Sequence, residues 1–141
     1  MADYSNSNSK PVPVVLIVQD NPDANSLVAG TLYLKGYSSL KVQTLQECLD
    51  VLAGHGDRID AVIFGGRIAT ESGGMLVSRV KKTNPNIRML ALVDEESDRT
   101  AVIRLGVDQV VSKPLSAETV ADKLTLLLAE NGVLVEAGGD R

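Results

Sequence analysis

Ala61-Val62-Ile63-Phe64-Gly65-Gly66 is the stretch whose reading decides the fold. Its first four residues, Ala61–Phe64, are a continuous apolar run that follows Asp60, too short for a helix, with the glycine pair immediately behind it. Such a run suits a strand buried on both faces, as in a parallel sheet covered by helices. In open parallel sheets the chemistry collects where the strands end at their carboxyl edge. Gly65 stands at that point, so its lack of a side chain needs an explanation.

Upstream, Val14-Val15-Leu16-Ile17-Val18 is a second fully apolar strand, ended by Gln19-Asp20-Asn21. Pro22 suits the first position of a helix capped by Asn21. That helix is expected to carry Ala24, Leu27, Val28 and Leu34 toward the sheet and to stop at Gly36. A short strand follows over 40–43. Thr44 and Glu47 have capping-box spacing for a helix whose apolar stripe is Leu45, Cys48, Leu49 and Leu52, closed by Gly54.

Downstream of the central strand, the spacing predicts a loop over 65–73 and a helix running through Lys82 to the Asn84-Pro85 break. A strand over 87–93, a helix over 97–105 stopped by Gly106, and a strand over 109–112 come next. Ser116 caps a last helix with Val120, Leu124, Leu127 and Leu128 on one face. Five strand–helix alternations mean a doubly wound α/β domain. Right-handed crossovers favour a flavodoxin-like, three-layer α/β/α fold with a five-stranded parallel sheet in the order 2-1-3-4-5. The single domain is expected over 12–130. Residues 1–11, rich in Ser and Asn, read as a disordered N-terminal tail, and 131–141 as a C-terminal tail.

Bulk properties bound the function class. At 141 residues the chain suits one core, and a net charge of −4 argues against a general nucleic-acid surface. No apolar stretch approaches a membrane span, and the N-terminus lacks a signal-peptide core. One cysteine permits no internal disulfide, which makes a reducing cytoplasm the expected compartment. The absence of Trp disfavours base stacking and a large aromatic pocket. Cys48 reads as core. His55 has no partner at metal-ligand spacing and reads as a solvated loop residue, while Lys81-Lys82 close a helix where cations favour the dipole.

Val18-Gln19-Asp20, the loop ending in Gly73, Gly106-Val107-Asp108 and Ser112-Lys113-Pro114 resemble the CheY-like receiver domain of two-component response regulators. The resemblance covers 12–130. It implies a phosphorelay signalling module in which two adjacent acids and a phosphoacceptor aspartate hold Mg²⁺. At the matching positions this chain has Gln19 for the first acid and keeps Asp20 as the second. Gly65 stands for the phosphoacceptor, Val93 for the hydroxyl residue that senses the phosphoryl group, and Val110 for the aromatic that reports the switch. Lys113 is kept, its bond to Pro114 is implied to be cis, and Ala69 replaces a common proline.

Chemistry turns these departures into an expectation. Glycine has no nucleophile, so no acyl phosphate can form at Gly65. Mg²⁺ asks for about six oxygens with carboxylate charge. Asp20 beside the neutral Gln19 is a poor donor set, so no cofactor and no Mg²⁺ binding are expected. Among other acids, Asp60 is about 13–17 Å away by strand rise, Asp94 follows Val93, and Glu71 lies in the loop. Lys113 and Asp20 read either as a remnant of function or as a structural ion pair, meeting directly or through water. Gly65-Gly66 reads as an anion nest with Lys113 or as a plain turn.

The expected role is therefore non-enzymatic: a phosphorylation-independent receiver acting by protein–protein interaction, either with a signalling partner or with itself. No nucleic acid and no membrane are expected as partners. One alternative is a phosphoaccepting regulator using an unorthodox acid. Another is an anion- or small-ligand-binding module, against which Asn21-Pro22 stands where a phosphate-binding glycine motif or a cobalamin-type His turn would be needed. The resemblance places the partner surface on the fourth helix, fifth strand and fifth helix, at Arg99, Ile103 and Val110. Ile103 and Val110 are expected to form a small exposed apolar patch in one constitutive conformation.

Overall fold

Residues 12–112 and 116–130 are described in the structure, a computed structural model. β1 (Val14–Val18), β3 (Ala61–Gly65) and β4 (Arg88–Val93) are almost wholly buried. Their β-branched, aliphatic runs can be buried on both faces because helices cover each side. β2 (Ser38–Val42) and β5 (Gln109–Ser112) complete a parallel sheet in the order β2-β1-β3-β4-β5. The in-register pairs Val18↔Phe64 and Phe64↔Ala91 bring three strand tips to one edge.

Side-chain alternation divides the core into two sets. On one face Leu16, Val18, Val62, Phe64 and Ala91 meet α2 (Leu45–His55) and α4 (Gly73–Thr83) through Cys48, Leu52, Leu76, Val77 and Val80. On the other, Val15, Ile17, Ala61 and Ile63 meet α1 (Pro22–Leu34) and α6 (Ala117–Glu130) through Val28, Leu32, Val120, Leu124 and Leu128. Each fully buried Leu or Phe is worth about 1.5–3 kcal/mol of transfer free energy. The result is the expected three-layer flavodoxin-like architecture.

The caps follow the sequence closely. The Asn21 side chain accepts from the Asp23 and Ala24 amides, with Pro22 opening α1. Thr44 and Glu47 form a reciprocal capping box at α2. The Ser116 hydroxyl accepts from the Thr119 amide at 3.0 Å.

Four expectations change. The buried stripe of α1 is Asn25, Val28 and Leu32, whereas Leu27 and Leu34 are 64% and 82% exposed. The helix is rotated because Asn25 finds backbone partners at the sheet edge, described below. The segment 65–73 is no open loop. Ile68 and Ala69 bury their side chains, which folds Arg67–Glu71 into a short helix, α3. The helix expected over 97–105 is a 3₁₀ turn, Glu96–Asp98, followed by a short α5, Arg99–Ile103. β2 starts two residues early, since Ser38 continues the ladder with Val14. The tails 1–11 and 131–141, and the Lys113-Pro114 bond, lie outside the described residues.

Cys48 is fully buried in the α2 face of the core, as its place in the stripe predicts. Burial pushes its thiol up to about 12. An ordinary thiol ionises near pH 8.5, so the unfolded chain loses this proton first. The linked stability is fully present below about pH 8.5 and is lost as pH rises toward 12. Thermal unfolding followed across that window should therefore fall more steeply with pH for the native chain than for Cys48→Ala. Parallel pH profiles for the two proteins would show that the thiol is not the cause.

Candidate functional site

The carboxyl edge of the sheet is built from the ends of β1, β3 and β4. Gln19 continues β1 by one residue, its amide donating to the Val42 carbonyl at 3.1 Å. Gln19 is one of only two buried polar residues among those described, and its side chain lies across the end of β3. A Cβ added to Gly65 would stand 2.7 Å from Gln19 Nε2 and 3.0 Å from Leu92 Cβ. A Cβ added to Gly66 would collide with the Asp20 carboxylate and stand 2.6 Å from Gln19 Oε1. The amide of Gln19 thus occupies the space that a side chain at position 65 would need.

Gly66 has φ 67° and ψ −147°, a combination that glycine alone adopts without strain. It lets the backbone turn from β3 into α3 directly beneath the Asp20 side chain. Gly66 is therefore required by its backbone, while a side chain at Gly65 would have to push the Gln19 amide aside. With the Asp20 carboxylate over Gly66, that side of the turn offers no open nest for an external anion.

Arg67, which sequence reasoning missed, follows this turn and places its Nε 3.6 Å from Asp20 Oδ2. The pair is largely exposed and contributes little to stability, but it sets a cation beside the retained acid. Lys113, the cation expected there, lies outside the described residues. Asp20, Arg67 and Gln19 line an open cavity of about 640 Å³ with Asn21, Gly66 and Asp94.

Asn25 was also missed. It is buried, and its Nδ2 donates to the carbonyls of Gln19 at 3.3 Å and Val42 at 3.0 Å. One side chain thus ties α1 to the tips of β1 and β2 and fixes the backbone of Gln19. The signal available in the sequence was an Asn three residues before Val28, on the stripe where an apolar residue belongs.

The remaining acids divide by position. Asp60 accepts from the Val14 amide at 2.8 Å, a structural bond at the opposite, amino edge. Asp94 lines the cavity. Glu71 is the last residue of α3 rather than part of a loop, and it lines a neighbouring cleft with Asp20 and Arg67. Mg²⁺ requires near-octahedral oxygen donors with carboxylate charge. A neutral amide at Gln19, no side chain at Gly65 and an arginine beside Asp20 do not fit it. Among the described residues no group of three or more His, Cys, Asp or Glu is placed to hold a metal.

A family model for the response regulator receiver domain matches residues 15–125. The chain belongs to that family. It is 28% identical over 135 residues to the probable transcriptional regulatory protein TcrX of Mycobacterium tuberculosis, covering 94% of this chain and 56% of that protein. It is also 28% identical over 116 residues to the response regulator MprA of Mycolicibacterium vanbaalenii, covering 81% and 49%. The chain spans about half the length of these curated relatives. A receiver domain from Clostridium thermocellum superposes with a TM-score of 0.76 at 18% identity, covering 86% of this chain and 98% of that one. An atypical orphan response regulator, described as revealing a phosphorylation-independent mechanism, superposes at 0.70 and 19% identity, covering 82% and 95%. At such identities the superpositions speak for the fold.

Val93 and Val110, the positions at which the resemblance implies switch residues, are both interior. Val93 is 1% exposed, and Val110 is 2% exposed rather than on the surface. The expected patch of Ile103 with Val110 does not form. Val110 pairs with Ala91, and strand alternation turns both into the core face that also takes Val102 of α5. Ile103, half exposed, carries the apolar character of that region without it. Arg99, the third residue expected there, is partly buried and turned toward Glu96 and Ser112. Among the described residues no helix is long and apolar enough to cross a membrane.

The contact between Gln19 and the space at position 65 can be measured by a double-mutant cycle. Gly65→Ala should lower stability in the native background and lower it less when Gln19 is already alanine. A coupling of about 1 kcal/mol is expected from thermal or denaturant unfolding. Additive effects would show that the amide yields freely.

Proposed function

We propose that this receiver acts without phosphorylation, as a protein-interaction module of a two-component or phosphorelay pathway. The observation that carries the reading is the side chain of Gln19 lying where a residue at position 65 would project. The position at the end of β3 has no nucleophile, and a side chain there would have to displace the Gln19 amide, so an aspartyl phosphate cannot form at residue 65. Arg67 beside Asp20 and the neutral amide of Gln19 further support the loss of Mg²⁺ binding. Resemblance in fold to an orphan regulator described as phosphorylation-independent is consistent with this reading.

Treatment with a small phosphodonor and Mg²⁺ should leave the intact mass unchanged, and amide shifts around Asp20 and Gly65 should not saturate with millimolar Mg²⁺. Gly65→Asp should not by itself restore labelling, because Gln19 still fills the pocket and Val93 cannot hydrogen-bond a phosphoryl oxygen. An aspartyl phosphate on the native chain, at Asp94 or any other acid, would overturn the proposal.

The docking surface is proposed on α5 and the adjoining β5 edge, with Ile103 as its apolar centre and a signalling protein or a second copy as the partner. A half-exposed Ile on a short helix can anchor a contact whose rim is charged. Ile103→Asp should leave the fold intact and weaken self-association, or capture of the cognate partner, by about tenfold. Unchanged binding in both assays would move the interface elsewhere.

A further inference from the structure

α5 contains only five residues, far too few to hold its conformation without tertiary contacts. Its inner side is anchored by buried Val102. Its leading end is held by polar side chains. Ser112, the last residue of β5, donates its hydroxyl to Glu96 Oε1 at 2.6 Å. Arg99 Nη1 donates to the Ser112 hydroxyl oxygen at 3.4 Å, and Arg99 Nε lies 4.0 Å from Glu96 Oε2. Glu96 opens the 3₁₀ turn that leads into α5, and Arg99 is the first residue of α5. The three side chains therefore tie the start of α5 to the tip of its neighbouring strand, across sixteen residues of sequence.

We propose that Ser112, Glu96 and Arg99 form a constitutive latch that fixes α5 against β5, with the Ser112 hydroxyl as the positioning group. A short hydroxyl-to-carboxylate bond is among the stronger hydrogen bonds, because the acceptor is charged. The hydroxyl both donates to Glu96 and accepts from Arg99, so one oxygen couples two side chains on the leading turn. The side chain of Val93, at the end of β4, has no polar atom that could draw this turn toward the cavity at Gln19 and Asp20. The latch acts from the far side, between the β4–α5 turn and β5, and needs no ligand. Its significance for signalling rests on the reading that α5 is the docking face: it would hold Ile103 in a single presented position.

Amide hydrogen exchange on the full chain tests the latch independently of any partner. Ser112→Ala and Glu96→Ala should each speed exchange of the α5 amides by about fivefold to tenfold, the effect of losing one charged hydrogen bond at a partly exposed site. Ser112→Thr, which keeps the hydroxyl, should stay within about twofold of the native chain, whereas Glu96→Gln, which keeps an acceptor oxygen and loses its charge, should fall between the native chain and Glu96→Ala. Exchange at Leu16 and Ile63 should be unchanged in all four. The Glu96 side chain is 73% exposed, so its truncation leaves the core intact and decides the question even if Ser112→Ala fails to fold. Native exchange in α5 of Glu96→Ala would overturn the latch, as would equal acceleration at Leu16 and Ile63. Either result leaves the docking surface standing, since that is read separately by Ile103→Asp.

Discussion

Because β3 has no solvent-facing side, its chemistry is confined to its tip, and the neighbours of that tip are set by strand register. Phe64 is held between Val18 and Ala91, so Gly65 emerges between the end of β1 and Leu92. Whatever follows β1 must then pack over whatever ends β3. In this chain those partners are a long amide and two glycines. The burial that stabilises the sheet is thus also what forces Gln19, Gly65 and Gly66 into one volume.

Volume and charge are altered together at this edge. The Gln19 amide fills the space left empty at position 65, and the Asp20 carboxylate lies over Gly66, whose backbone no other residue adopts without strain. Arg67 brings a positive charge to the acid from the same turn. Asn25 holds the Gln19 carbonyl from beneath, so the amide starts from a fixed backbone. At this edge Gln19 lies against Gly65, Asp20 against Gly66, and Arg67 against Asp20.

The opposite end of the site has the same character. Valines at 93 and 110 lie inside the core, in the same buried set as Ala91 and Val102. α5 is then positioned by apolar anchoring at Val102 and by polar contacts at its first turn. A helix of this length takes its geometry entirely from such contacts, and that is why a few side chains matter more here than in α1 or α6.

How much of this was legible varies by residue. Apolar runs of five at β1 and four before Gly65, with the Asn21-Pro22 and Thr44/Glu47 caps, led to the architecture and strand order, because burial and capping are local patterns with a strong period. The family resemblance, and the positions of Gln19, Asp20, Gly65 and Val93, could likewise be read along the chain. The rotation of α1 toward Asn25 could not, since it depends on carbonyls supplied by two other elements. Nor could the helical turn at Arg67–Glu71, which exists because Ile68 and Ala69 find the core. Val110 was misplaced because its family position suggests a surface residue, while the side chain this chain carries fits inside. The sequence by itself determined which side chains the edge of the sheet carries, an amide at 19, a carboxylate at 20 and none at 65. Only the tertiary structure decided how they pack against one another, because they come from separate strands and turns that are brought together by the burial of β3.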